Sequence, residues 1–342
     1  MPTSPNLTQT ALSDSIKTRY ERRLLVRAIP RLIHSRFGEK ASISQFGSLE
    51  WRRYSGLAAI SSALTEGQTP TEQSAPTLTL VTATPLFYGA WIGMSDELEM
   101  TTMDPLVLEV SGILGEQAGL SVDTLVRNTL TDGATKLYSG VGNSARTTLD
   151  ASQDNIAFDD ILVVLGTLWA GNAREFADGR YKLLLHPHTY VTLMSDPTFV
   201  SLFEKADPAG DSNPLRSGFM GTLLMCDIYM SSNAREYADG GVGATDVYSA
   251  VFIGREAYGV TGIGNTTPQE VDMAGPEGRT MTGTPGTAVS PVDIIVKQLG
   301  SAGAADPLNQ RSTIGWKASV DTDVLNSAFV VDLEHTNSFS DS

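Results

Sequence analysis

Apolar residues along this 342-residue chain fall into a few distinct spacings, and each predicts an element. Over residues 12–37, Ile16, Tyr20 and Leu24 recur at helical spacing, with Arg22, Arg23 and Arg27 on the other face. Ser13 or Asp14 caps that helix, and Pro30 ends or kinks it. Ser48-Leu-Glu-Trp-Arg-Arg-Tyr54 and Thr77-Leu-Thr-Leu-Val-Thr-Ala83 alternate polar and apolar, the signature of strands with one buried face. The turn-rich Leu64-Thr-Glu-Gly-Gln-Thr-Pro70 lies between them, so the three pieces predict a long hairpin with a loose tip. Two-stranded ribbons are marginal alone, so this hairpin needs a partner surface, in its own chain or another.

The clearest helix opens at Asp104-Pro105, with Asp as N-cap and Pro at the first helical position. Leu106, Val110, Ile113, Leu114, Ala118, Val122, Leu125 and Val126 form its apolar stripe, and Gly133 breaks it. At about 27 residues it is about 40 Å long, beyond the globular average, and reads as a spine. Further on, Phe158 to Leu168 and Pro187 to Met194 read as helices. Tyr181 to Leu185, Leu223 to Tyr229, Val247 to Ile253, Val292 to Lys297, Ser312 to Ala318 and Ala328 to Leu333 read as strands. The interleaving over residues 150–265 predicts a mixed domain. Residues 264–291, rich in Gly, Pro and Thr, predict a long loop or exposed hairpin, and the polar tail after His335 reads as peripheral. Asn172-Ala-Arg-Glu-Phe-Ala-Asp-Gly179 is echoed by Asn233-Ala-Arg-Glu-Tyr-Ala-Asp-Gly240; both copies predict Asp-Gly turns leading into strands.

Charge sharpens this picture. The chain carries −15 overall, yet residues 1–54 hold ten basic and four acidic groups, so the remainder carries −21. So acidic a surface disfavours strong nucleic-acid binding over most of the protein. The basic arm, with Arg19, Arg22, Arg23, Arg27 and Arg31, is the exception: a solvated helix face, an arm that docks on acidic surface of neighbouring subunits or, more weakly supported, one that touches nucleic acid. No apolar run spans a bilayer, and Met1-Pro-Thr-Ser-Pro5 lacks the start of a secretory signal, so folding in the cytoplasm is expected.

Candidate chemistry is sparse. The single cysteine, Cys226, sits in an apolar run and reads as core. His186-Pro-His188 is the one close histidine pair, without an evident third ligand, and fits a strand end before a Pro-started helix. Asp154, Asp159 and Asp160 suggest a cation site, but Asp159 and Asp160 also suit a first helical turn. No phosphate loop or nucleophile elbow is present, and Gly259-Val-Thr-Gly-Ile-Gly264 lacks dinucleotide-binding spacing. No catalytic, cofactor or metal residue is assigned, and no enzyme activity is expected.

The order of parts, a basic arm, a long hairpin, a spine helix, a mixed domain and a return strand, resembles the major capsid proteins of tailed bacteriophages with the Hong Kong 97-type fold. The local wording is similar to the N-four-like podovirus branch. It lies in Leu12-Ser-Asp-Ser-Ile16 with Tyr20, Leu64-Thr-Glu-Gly-Gln-Thr-Pro70, Met94-Ser-Asp-Glu-Leu98, Leu114-Gly-Glu-Gln-Ala118, Tyr181-Lys-Leu-Leu-Leu-His-Pro187 and Gln310-Arg-Ser-Thr-Ile-Gly-Trp-Lys317. The resemblance implies an α+β fold with an N-arm at 1–47 and an extended β-hairpin loop at 48–95. It also implies a peripheral domain at 96–150 and 292–342, and an axial domain at 151–291. It implies pentamers and hexamers of this chain closing an icosahedral shell around double-stranded DNA, with weak non-specific DNA contact. Separately encoded scaffolding, portal and decoration proteins are the further partners implied, with no membrane. Residues 48–95 contain no lysine, so the Lys–Asn cross-link that locks some shells of this fold is not expected through this hairpin. Trp51, Arg52, Arg53, Glu66 and Trp91 are the expected inter-subunit contacts. Another virion protein, a decoration or tail-tube subunit, is the alternative, and a soluble enzyme a more distant one.

Overall fold

The computed structural model describes residues 33–43, 47–69, 72–101, 106–140, 142–198, 222–223, 225–263, 292–297, 308 and 310–337. The basic-arm arginines, most of the helix expected over 12–37, Asp104-Pro105 and the stretch 264–291 lie outside them. At the described end of the expected arm helix, His34–Arg36 forms a 3-10 turn.

The described elements run in order as β1 (Glu39–Ile43), β2 (Leu49–Tyr54), β3 (Leu78–Ala83), β4 (Leu86–Ser95), α1 (Asp96–Thr101), α2 (Leu106–Gly133) and β5 (Thr135–Tyr138). They continue with α3 (Phe158–Ala170), β6 (Tyr181–Leu185), α4 (Pro187–Met194), β7 (Thr222–Leu223), β8 (Cys226–Met230), β9 (Glu236–Tyr237) and β10 (Val247–Ile253). The last are β11 (Tyr258–Ile263), β12 (Asp293–Lys297), β13 (Arg311–Val324) and β14 (Val330–His335).

Two sheets organise the body. The first joins β1, β11, β13 and β12, with β4 paired along β13. Its inner face packs on α2: Leu114, Ala118, Val122, Val126 and Leu130 meet Ile294, Ile314, Trp316, Ala318 and Val320. Ile113, expected on this stripe, is instead exposed. At 100° per residue, nine positions separate it from buried Val122 by half a circle, so it faces away. The second sheet runs β5-β14-β10-β6-β8-β7, with β9 beside β10. Its apolar face packs under α3 through Ile161, Val164, Leu165 and Leu168, against Leu183, Phe252, Val331 and Leu333. β14 sits at the heart of this sheet, parallel to β5 and antiparallel to β10.

Local chemistry explains the element ends. Asp160 Oδ2 accepts the Ala157 N–H at 3.0 Å and starts α3. The α4 helix begins at Pro187, with the His186 ring accepting the His188 N–H. The expected strand Leu223 to Tyr229 is broken, because Met225 takes a φ of 67° and β7 folds back on β8. β13 outruns its expected end because its far half pairs with β11, from Thr261 opposite Asp321 to Tyr258 opposite Val324. The last strand lies two residues further along than expected, after a 3-10 turn at Ser327–Phe329 whose Asn326 side chain accepts the Ala328 N–H. The tail is not wholly peripheral: Thr336 is buried, its N–H donating to the Asp154 carbonyl at 3.0 Å.

Both echoed octapeptides are turns. The Gly179 N–H donates to the Phe176 carbonyl at 2.8 Å, and the Gly240 N–H to the Tyr237 carbonyl at 3.2 Å. Asn172 and Gly179 are left-handed in the first copy and Asp239 in the second, so like sequences make different turns.

Candidate assembly surface

The hairpin forms as an antiparallel ribbon in which Leu49 to Tyr54 pairs with Ala83 to Leu78. Beyond Tyr54 the described residues 55–69 and 72–77 form no helix or strand, and the base is tied by the Ser55 N–H to the Thr77 carbonyl at 2.8 Å. Its turn at Thr65–Gln68 is closed by a backbone bond of 3.2 Å, with Gly67 at a φ of 77°. Leu57, Ile60 and Leu64 are exposed along this segment, Leu64 by 77%. Solvated apolar side chains in such a row mark a surface that another surface covers. The ribbon meets the body through Trp51, whose ring lies over Gly259; a Cβ added at Gly259 stands 2.5 Å from it.

The five expected contact residues are not brought together. Trp51 is half-buried against its own body. Arg52 is exposed and pairs with Glu50 at 3.2 Å, and Arg53 and Glu66 are exposed further along the ribbon. Trp91 belongs to β4, in the body sheet, where it is 71% exposed beside β13. It lines an open groove of about 540 Å³ with Phe87, Ile295, Lys297, Trp316 and Lys317. Sequence reasoning passed over β4 as a strand and over Ile295, Lys297 and Lys317. The available signal was the alternation Phe87, Gly89, Trp91, Gly93 against Tyr88, Ala90, Ile92, Met94.

The other candidate groups are structural. The Cys226 thiol is buried, and burial pushes its pKa up to about 12. His186 and His188 stack edge to face with ring centroids 4.6 Å apart. Burial and the neighbouring His188 hold His186 down at about 4. Asp154 accepts the Asp150 N–H at 2.8 Å, and Asp160 also accepts the Ser139 hydroxyl at 2.6 Å. Among the described residues, no group of three His, Cys, Asp or Glu side chains is placed to hold a metal ion. Among them too, no helix is long and apolar enough to cross a membrane.

Comparison with known proteins decides the family. The profile of the family described as phage capsid protein matches residues 79–332, most of the chain. This chain belongs to the phage capsid protein family. The capsid protein is also similar in fold to the solved capsid of cyanophage Pam1, at 12% identity and a TM-score of 0.61, covering 92% of this chain and 93% of that one. The capsid of cyanophage P-SCSP1u gives 14% identity and a TM-score of 0.59 over 88% and 87%. The capsid of Ralstonia phage GP4 gives 15% and 0.58 over 90% and 91%. No curated protein matches the chain. The α+β architecture, with its spine helix, ribbon and two sheets, is the Hong Kong 97-type capsid fold.

In this capsid protein the face of the second sheet away from α3 carries charge. Asp332 and Glu334 of β14 are fully buried. Lys136 reaches Asp332 at 2.5 Å and Glu334 at 2.9 Å, and Arg146 grips Glu334 at 2.6 and 2.8 Å. The Arg146 guanidinium also lies 3.3 Å from the centre of the Tyr237 ring. This network ties β5, the loop after it, β9 and β14 into one unit.

Proposed function

We propose that this chain is the major shell subunit of a tailed-phage head, assembling as pentamers and hexamers into the icosahedral shell around packaged double-stranded DNA. The observation that supports this best is the ribbon, whose apolar tip residues Leu57, Ile60 and Leu64 find no cover among the described residues. Subunits of a shell meet through unlike surfaces, so each donates its ribbon and receives another's. Individual contacts can be modest, because once one contact forms the next is effectively intramolecular. The chain acts as a building block rather than a catalyst, assembles in the host cytoplasm and falls in the N-four-like branch.

The proposed division is an arm at 1–47, an extended loop at 48–95, a peripheral unit at 96–150 and 292–342, and an axial unit at 151–291. Strand pairing supports moving β4 from the loop to the peripheral sheet, and β14 to the sheet of the axial strands. Trp51, Arg52, Arg53, Glu66 and Trp91 are proposed at inter-subunit contacts. Arg19, Arg22, Arg23, Arg27 and Arg31 would dock on the acidic bodies of neighbours. Scaffolding, portal and decoration proteins are further proposed partners, and the DNA is touched weakly and without sequence preference.

Replacing residues 55–77 by an Asn-Gly turn tests this reading, because it shortens the ribbon and leaves both sheets intact. The expected result is an unchanged circular dichroism spectrum and loss of the fast-sedimenting particles that the intact chain forms. Particles of normal size from the shortened chain would refute it.

A further inference from the structure

The short stretch His34 to Gly38, between the basic arm and β1, is clasped by the spine helix and by both echoed octapeptides. His34 and Asp123 of α2 are buried. The Asp123 carboxylate accepts the His34 N–H at 2.8 Å, the His34 ring at 2.7 Å and, from the second octapeptide, the Asn233 amide at 2.9 Å. A carboxylate only accepts, so the imidazole carries its proton on Nδ1. Arg127 fixes the Asn233 amide, donating to its side-chain oxygen at 3.0 Å and to its backbone carbonyl at 2.9 Å. Arg235, two residues on, grips α2 again through Thr131 at 2.7 Å and Asp132 at 2.8 Å. The first octapeptide arrives through Phe176, whose ring stands edge-on to Phe37 with centroids 6.2 Å apart, and Tyr229 of β8 lies 4.8 Å from the same ring.

β11 joins this clasp to the ribbon. The hydroxyl of buried Tyr258 donates to the His34 carbonyl. A Cβ at Gly38 would stand 2.5 Å from the Tyr258 ring, so glycine is what lets the chain pass this closely. The next residue of β11, Gly259, pairs with Glu39 of β1 and carries the Trp51 ring of the ribbon base. Two neighbouring residues of one strand therefore hold the root of the arm and the root of the ribbon. We propose that Tyr258-Gly259 is a shared seat that couples these two elements, so that loosening either one loosens the other. The use of this coupling in assembly rests on the capsid reading: a copy whose arm is held by a neighbour presents its ribbon at a fixed angle. Linkage makes the effect reciprocal, so a ribbon covered by another copy also steadies the arm root.

Cross-effects in the unassembled, full-length subunit test the seat. His34→Ala removes a hydrogen bond to a charged group at the clasp, and is expected to speed trypsin cleavage after Arg52 and Arg53 about tenfold, read by mass spectrometry of the fragments. His34→Asn returns an N–H near the position of Nδ1 and is expected to bring the rate back close to the parent's. In the other direction, Trp51→Ala is expected to raise amide hydrogen exchange over residues 34–43 about tenfold, with β10 and β14 unchanged. Tyr258→Phe removes only the shared hydroxyl and is expected to raise both readouts, which keeps the test open if His34→Ala fails to fold. Ribbon cleavage at the parent rate in the folded variants, or exchange that rises equally in β10 and β14 as a general loss of stability would make it, would overturn the coupling. Electron microscopy judges the capsid reading separately. A parent chain that forms no particles, alone or with its co-encoded proteins, would overturn that reading and the assembly role, while cross-effects in the subunit would still support the coupling.

Discussion

Lys136→Met removes one cation from the buried network of the second sheet and nearly preserves side-chain length. Lys136 lies across from Asp332 in the parallel pairing of β5 with β14, and its ammonium is the one cation that contacts Asp332 directly among the described residues. Burial pulls the Lys136 pKa down, but Asp332 and Glu334 outweigh it, and the net shift is upward. Burial raises the Asp332 pKa, against the pull of Lys136 and Ser249. Glu334 keeps Arg146 in the variant, whereas Asp332 keeps only the Ser249 hydroxyl. Breaking one side of a buried pair costs about 3–5 kcal/mol. Protonation of the orphaned Asp332 sets a ceiling: lifting its pKa from the usual range to above 7 costs about 1.4 kcal/mol per unit, or about 4 kcal/mol at pH 7. Since Lys136 is itself a quarter exposed, water reduces the loss toward about 3 kcal/mol.

Urea unfolding of the isolated subunit, below the concentration at which it assembles, reads this loss. The sign in pH follows from Asp332. In the variant its folded pKa stands above its unfolded one, so the penalty is present at neutral pH and shrinks as pH falls, by about 1.4 kcal/mol per unit. Lys136→Met with Asp332→Asn is expected to recover most of the loss, because no unpaired charge remains. A Lys136→Met variant within about 1 kcal/mol of the parent at pH 7, or a penalty that does not change between pH 7 and 5.5, would refute the assignment of Lys136 as the counter-charge of buried Asp332.

Burial holds His186 and His335 at about 4, so both are neutral when folded and charge on unfolding. Unfolding is therefore expected to take up as many as two protons between pH 6.5 and 4, with Glu334 adding in the same sense and Asp332 opposing. Calorimetry in buffers of different ionisation enthalpy measures the uptake, and none at pH 5 would contradict it. Gly259→Ala drives a methyl group into the Trp51 ring, so the ribbon base must shift; trypsin is expected to cut faster at Arg52 and Arg53, and an unchanged rate would argue against that seat. The Cys226 thiol is expected to stay unreactive toward a disulfide reagent at pH 8 until urea unfolds the chain, and rapid native labelling would show the packing to be wrong. Particles boiled in detergent without oxidation are expected to run as single chains, since residues 48–95 offer no lysine for an isopeptide bond, and a covalent ladder would contradict that.

Elements with strong local signals were legible in the sequence. The spine helix, α3 with its Asp160 cap, α4 with its leading Pro187, and strands β2, β3, β6 and β10 all lie within a residue or two of their expected places. What escaped depends on partners distant in sequence. β4 reads weakly because Gly89, Ala90 and Gly93 blunt its alternation, and it becomes a strand by pairing along β13 more than two hundred residues away. β14 hides its nature because Asp332, Glu334 and His335 are polar yet fully buried, made tolerable by Lys136, Arg146 and Ser249 and by the Thr336 carbonyl. The break at Met225 is a backbone choice that an apolar run does not announce. For the candidate surface, Trp51 and Trp91 stand out as aromatic residues in a polar setting. The groove itself was not legible, because it joins β4, β12 and β13 from three separate segments.

The central claim is that this chain builds a shell in which each ribbon lies on another copy. Electron cryo-microscopy of the purified chain, alone and with the proteins encoded beside it, tests this most directly. The account predicts closed shells, or rings of five and six subunits, with ribbon density crossing onto the adjacent copy. A monodisperse monomer in both samples, or shells whose ribbons fold back on their own subunit, would contradict it.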